Sequence, residues 1–337
     1  MILQVVQEVA VELWRLVHPR LGLRSGAAIV GTAQSGDYTY ALDHDAEEAL
    51  PAIVAKAGER CNLNVAYYSE DKGLVCPYDE PDYVLVIDPI DGTRPALCGL
   101  ECCCISVAAA PMETPLARPV FGDLAASCLV EAKSGQTLSA QKGAGVWMGT
   151  AASAGPTMIH SFRLLERADK SPRAVETMFW AYENAGRPLA ATAQVLGDLI
   201  NCSSHAGATF VMNSSSFAIS RVVTGQLDAY VDVFAALLQG PAADSWAEHA
   251  RSLFRGKVFG LFAYDIAAAV LLADEAGFYV SDAFGNPIKS VELLDSSEQN
   301  LVSIVVACDP NLGDSIAKKL HQGLANGSHG PFIHMAR

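Results

Sequence analysis

Apolar residues Ile2, Val5, Val6, Val9, Leu13 and Leu16 recur every three or four positions at the start of the chain, while Glu8, Glu12 and Arg15 interrupt them. This spacing predicts an amphipathic helix with one buried stripe. Residues 37–43 read as a short turn-and-strand segment and residues 46–57 as a second helix. The pattern then changes. Residues 65–68 and 83–87 are unbroken apolar runs, and the second ends abruptly in Asp88-Pro-Ile-Asp-Gly-Thr93. Such short continuous runs predict strands buried on both faces. More strands are predicted at 105–109, 125–131 and 137–140, with Gly143 and Gly145 marking a turn. Further on, helix (214–224), strand (229–233), helix (266–276) and strand (303–307) alternate, an α/β arrangement. The polar stretch 239–256, with Pro241, Trp246 and His249, interrupts otherwise continuous elements and reads as an insertion.

Length and composition narrow this picture. A chain of 337 residues with 51% hydrophobic positions buries a sizeable core. That length predicts one large or two medium units, here divided as 1–155 and 156–337. No apolar stretch reaches the roughly 18 residues of a membrane span, and the charged residues of the first helix argue against a signal peptide. With 23 Lys and Arg against 37 Asp and Glu, the net charge is −14. This opposes binding to nucleic acid or anionic lipid. A phosphorylated substrate meets the same repulsion unless cations sit in the site, which points towards metal. The nine cysteines, three of them adjacent at 102–104, form neither CxxC pairs nor a secreted disulfide framework. A reducing, cytoplasmic compartment is expected, with the triplet buried in a strand.

The chemistry concentrates in carboxylates. Asp88 and Asp91 stand where a buried strand ends, so a rigid sheet places them while the loop exposes them. Pro89 stiffens the turn, Gly92 permits close backbone approach, and Pro95 suits the first turn of a following helix. Free N–H groups at such a helix start attract phosphate. Ser69-Glu70-Asp71 closes the preceding apolar run, and Tyr264-Asp265 opens the helical run that stops at Gly277, with Asp265 placed as a helix N-cap. There is no Gly-x-Ser-x-Gly elbow and no Walker loop.

Taken in order, Glu70, Asp88-Pro-Ile-Asp-Gly-Thr93 and Asp265-Ile-Ala-Ala with Glu275-Ala-Gly277 resemble the three motifs of the inositol monophosphatase superfamily. Asp37-Tyr-Thr-Tyr-Ala-Leu-Asp43 with Glu47, Gly143-Ala-Gly145-Val-Trp147, and the stretch from Ser214 to Tyr230 extend the resemblance over roughly residues 30–310. The resemblance implies an αβαβα sandwich and a phosphatase acting on a small phosphorylated metabolite with two or three magnesium ions. It implies metal ligation by Glu70, Asp88, Asp91, Asp265 and the carbonyl of Ile90. It assigns Asp43 and Thr93 to orienting the attacking water, with Glu70 also in the catalytic set. The amides of Gly92 and Thr93 would hold phosphate. A homodimer and lithium inhibition follow from the resemblance alone.

Departures from the family pattern concern substrate. Asp71 replaces a second Glu, Tyr264 a Trp, and Arg94-Pro95-Ala96 the usual Thr-Asn-Phe. Arg94 places a cation beside the expected phosphate site. Asp232 falls where inositol-specific members use Glu to bind hydroxyls, and the extra segment of about 234–259 returns to the rim of the site as a lid, a dimer contact or a neutral insertion. Inositol phosphate, fructose 1,6-bisphosphate, histidinol phosphate and 3'-phosphoadenosine 5'-phosphate all stay open as substrates. A non-catalytic metal- or phosphate-binding protein of the same fold is the rival reading.

Overall fold

A computed structural model of the protein describes residues 1–33, 38–151, 163–164 and 173–326. The expected boundary at 155, and Asp37 in the early motif, lie outside the described residues.

The first helix spans Ile2–Val17, and Val5, Val6, Val9 and Leu13 of its stripe are fully buried. It packs with helix Ala41–Cys61 over one face of an eight-stranded sheet. In spatial order the sheet runs Arg163–Leu164, Gly145–Thr150, Gln136–Gln141, Ala126–Glu131, Cys104–Pro111, Tyr83–Asp91, Val65–Ser69, Gly73–Val75. Only Val65–Ser69 and Tyr83–Asp91 pair in parallel. The side-chain period of two divides each central strand between two cores. Leu85 and Ile87 face the first two helices, whereas Val84 and Val86 face the opposite way.

On that opposite face lie helices Ser215–Val223 and Ala263–Glu275, followed by a five-stranded sheet and then helices Leu189–Ser203 and Pro310–Asn326. The order in the second sheet is Ala208–Phe210, Phe179–Tyr182, Ala229–Asp232, Ile304–Ala307, Tyr279–Ser281. The result is the expected αβαβα layering. One cluster of buried side chains runs from Ala66 to Leu320 and so joins the two sheets through the middle helices. A buried ion pair between Arg221 and Glu131 fastens helix Ser215–Val223 to the first sheet. At the far end of helix Ala263–Glu275, the Glu275 carboxylate accepts hydrogen bonds from Gly143, Ala144 and Gly145 N–H at 2.8, 3.1 and 2.9 Å.

Three expectations need correction. The second helix starts at Ala41 and ends at Cys61, longer than 46–57, so Asp43 belongs to a helix and not to a strand. Leu50, Val54 and Ala57 form a buried stripe that carries this helix through Pro51, because burial outweighs local propensity. Asp265 is the third residue of helix Ala263–Glu275 and not its N-cap; its side chain reaches back to Phe262 N–H at 2.7 Å. Of the cysteine triplet only Cys104 is in the strand; Cys103 is buried before it and Cys102 is half-buried. The stretch 239–256, expected as an insertion, contains helix Ala243–Leu253, anchored by buried Trp246 and Ala250.

Candidate active site

The strand Tyr83–Asp91 loses regular pairing between Asp88 and Asp91, where Pro89 has no N–H to give to the ladder. This irregularity lets both carboxylates serve one cavity, since a bulge re-aims side chains. Asp88 Oδ1 accepts from Ile90 N–H at 3.0 Å. Asp91 Oδ2 accepts from Ser214 Oγ at 2.8 Å, Ser216 N–H at 2.6 Å and Phe217 N–H at 3.3 Å, so it fills the positive N-terminus of helix Ser215–Val223. Asp43 and Asp265 share one device. Each is the third residue of its helix, and one carboxylate oxygen caps the N–H three residues back, at 3.2 Å for Tyr40 and 2.7 Å for Phe262. The other oxygen is left for the site. For Asp43 it accepts from Thr93 Oγ1 at 2.9 Å, and that hydroxyl also lies 3.2 Å from the Ile90 carbonyl.

Gly92 caps the short helix Thr93–Cys98 with φ 86°. A side chain there would stand 2.8 Å from both the Cys102 carbonyl and the Ser214 Cβ, so only glycine fits. Asp43, Glu70, Asp88, Ile90, Asp91 and Asp265 line one cavity of about 840 Å³, together with Gly92, Thr93 and Arg94. Among the predicted site residues, Asp232 alone is absent from this lining. It is 2% exposed, and Arg187 donates to its Oδ2 from Nη2 at 2.6 Å and Nε at 3.2 Å. It is Arg187 that reaches the cavity wall.

Burial raises these acids, and they raise one another. Asp88 is pushed well above the usual carboxylate range by burial and then by the charges of Asp91, Asp265 and Glu70. Asp265 is raised by burial and then by Glu70. Burial lifts Asp91 to about 6 in spite of its hydrogen bonds. Asp43 rises to about 7, chiefly through burial, with the Thr93 bond opposing. Four clustered carboxylates with an adjacent backbone carbonyl are an oxygen-only donor set that needs positive charge, which fits a hard divalent cation. Among the described residues no three acidic, histidine or cysteine side chains already stand at ligand spacing. Asp91 and Asp265 each commit an oxygen to backbone N–H groups, so the cation would draw the remaining oxygens inward.

The profile of the inositol monophosphatase family matches residues 2–325. The chain belongs to that family. As a member it is a phosphoric monoester hydrolase. It is similar to a fructose-1,6-bisphosphatase/inositol-1-monophosphatase of Methanothermobacter thermautotrophicus, 23% identical over 287 residues, 84% of this chain and 85% of the relative. The fold matches a crystal structure of an inositol monophosphatase-fructose 1,6 bisphosphatase with TM-score 0.65 and 21% identity, covering 94% of this chain and 98% of the other. It also matches the extragenic suppressor protein suhB from Bartonella henselae with TM-score 0.67 and 16% identity, covering 96% and 99%.

Some site residues of this family member escaped sequence reasoning. Ser214 and Ser216 hold Asp91 from a helix more than 120 positions away. Glu183, Asn184 and Arg187 form a cavity wall after strand Phe179–Tyr182, and the buried Asn184 Oδ1 has no partner among the described residues. The Ser-Ser-Ser run at 214–216 was the one signal available for the first group. No linear signal pairs Arg187 with Asp232.

Proposed function

We propose that the protein hydrolyses a small phosphate monoester with magnesium held by Glu70, Asp88, Asp91, Asp265 and the Ile90 carbonyl. Bound magnesium supplies charge neutralisation on the phosphate and a lowered pKa for water. The chain's own residues direct the attack. Thr93 donates its hydroxyl proton to Asp43 at 2.9 Å, which turns the Thr93 oxygen into an acceptor for one O–H of a water molecule. That bond aims the water's lone pair at phosphorus, and Asp43 is the carboxylate placed to receive the proton relayed through Thr93. Gly92 and Thr93 amides are the proposed phosphate contacts at the start of helix Thr93–Cys98.

The observation that carries this reading is the Asp43–Thr93 pair beside the four carboxylates. A module that only binds metal or phosphate has no need of a base hydrogen-bonded to a hydroxyl. A reducing, cytoplasmic setting belongs to the same reading, supported by nine cysteines that are all free thiols. No described helix is long and apolar enough to cross a membrane. A homodimer rests on family resemblance alone and is tested by sedimentation. The direct test of function is phosphate release from inositol phosphate, fructose 1,6-bisphosphate, histidinol phosphate and 3'-phosphoadenosine 5'-phosphate, with magnesium and with EDTA. Magnesium-dependent release from one of them supports the reading. Metal binding with no release from any would favour the non-catalytic alternative.

A further inference from the structure

Among the described residues, four basic side chains line the cavity: Arg94, Arg187, Arg255 and Lys257. They are not equivalent. The Arg187 guanidinium is bound to Asp232, and the two side chains are 7% and 1% exposed, so its charge is neutralised within the fold. Arg94 adjoins the proposed phosphate contacts. Arg255 and Lys257 come from a distant part of the chain, the turn that follows helix Ala243–Leu253. Three of the 23 Lys and Arg fall within the seven positions 251–257. Arg251 pairs with Glu298 at 2.6 Å, but neither Arg255 nor Lys257 has a carboxylate partner among the described residues.

The turn is also held in place. Trp246 and Ala250, in the helix that leads into it, are fully buried. Arg255 adopts φ 54°, an uncommon conformation for a residue with a side chain. Its guanidinium lies over the Tyr38 ring, 5.8 Å from the centroid, and donates to the Tyr38 hydroxyl. Tyr38 opens the strand that leads into Asp43, so the turn reaches across the mouth of the cavity to the catalytic helix. A guanidinium has five N–H donors, and the hydrogen bond to Tyr38 uses one of them.

We propose that Arg255 and Lys257 form an anion subsite that selects phosphate monoesters bearing a second anionic group, phosphate or carboxylate, over esters of neutral polyols. This deepens the phosphatase reading and rests on it. Three observations converge. Two cations without carboxylate partners face a cavity in a chain of net charge −14, where an anionic tail meets repulsion almost everywhere else. The cavity, at about 840 Å³, stands near the top of the roughly 300–1,000 Å³ range for small-molecule sites, leaving room beyond a single phosphate ester. And Asp232, the acid expected to read hydroxyls, is closed off by Arg187.

The test compares matched esters: fructose 1,6-bisphosphate with fructose 1-phosphate, and 3-phosphoglycerate with glycerol 3-phosphate. The first pair isolates a second phosphate and the second pair a carboxylate. Wild type should favour the doubly anionic member of at least one pair in kcat/KM by about tenfold or more, the scale of one charge-assisted contact. The double variant Arg255→Ala, Lys257→Ala should bring that ratio close to one and leave the neutral-tailed ester within about twofold, while Arg255→Lys keeps most of the preference. A ratio that the double variant does not change, or no preference in wild type, overturns the subsite. Calorimetric titration of the same esters with magnesium reads the subsite without turnover. Loss of bisphosphate binding in the double variant, with nothing hydrolysed by wild type, would retain the subsite and sink the phosphatase reading; equal binding by both proteins would overturn the subsite.

Discussion

Glu47 is 3% exposed, and its Oε2 accepts from Ser69 Oγ at 2.7 Å. Burial raises its pKa from 4.5 to about 7, the charges of Asp71 and Glu70 add to this, and the Ser69 bond opposes it. The folded state therefore binds the proton more tightly than the unfolded state. Between 4.5 and about 7 the native protein carries more protons, so its stability falls as pH rises through that window and levels off above it. At about 1.36 kcal/mol per unit, the change between pH 5 and pH 8 is about 2.5 kcal/mol. Glu47→Gln removes the titration. Any penalty from placing an amide against the Asp71 N–H is the same at both pH values and cancels. The other raised acids titrate in both proteins and cancel as well. Thermal unfolding in EDTA should show the wild type losing about 2.5 kcal/mol relative to the variant from pH 5 to pH 8, on the order of 5 °C for a chain this long. A wild-type-minus-variant difference that is the same at both pH values would refute the argument.

Four further outcomes are expected. Asp43→Asn keeps an acceptor for Thr93 but no base, so kcat should fall by about 10²–10⁴ with little change in KM, measured by steady-state phosphate release. Asp91→Asn withdraws a ligand charge while its hydrogen bonds to Ser214 and Ser216 persist; the half-activating magnesium concentration should rise about tenfold or more, and an unchanged activation curve would contradict the metal site. Asp232→Ala leaves the buried Arg187 without its closest partner and should destabilise by about 3–5 kcal/mol in denaturant melts. Were Asp232 chiefly a hydroxyl ligand, KM would move and stability would not. Gly92→Ala forces a side chain to φ 86° against the Cys102 carbonyl and should cost at least about 2 kcal/mol, seen as a lowered Tm together with lost activity.

The layered fold was legible because its central strands carry unbroken apolar runs, such as Val84-Leu-Val-Ile87, and a sheet covered on both faces accepts them. Asp88 and Asp91 were legible because Pro89 and Gly92 break an apolar run, although the strand itself continues irregularly to Asp91. The start of the second helix was not. Its first turn, Ala41-Leu42-Asp43, has Tyr40 and not Ser or Thr at the cap position, and the cap comes from inside the helix through Asp43. The same inversion hid the start of the Asp265 helix. The Arg187–Asp232 pair spans 45 positions and depends on adjacent parallel strands, Phe179–Tyr182 and Ala229–Asp232, whose order no local pattern encodes. The insertion was visible as polar sequence, but buried Trp246, which fixes where it docks, reads in isolation like any surface aromatic.

Helix Ala263–Glu275 is gripped at both ends, by the Asp265 cap where the cavity lies and by the Glu275 carboxylate where three turn amides close on it. Thirteen residues at 1.5 Å each set those ends about 20 Å apart. A rigid rod transmits displacement along its axis, so the hairpin at Gly143–Gly145 acts as a mount for a carboxylate it never touches. With the proposed magnesium site, substitutions in that exposed turn should register in an activity screen as losses of metal response, and a map of tolerated changes should show a functional hot spot on a surface where no reaction takes place.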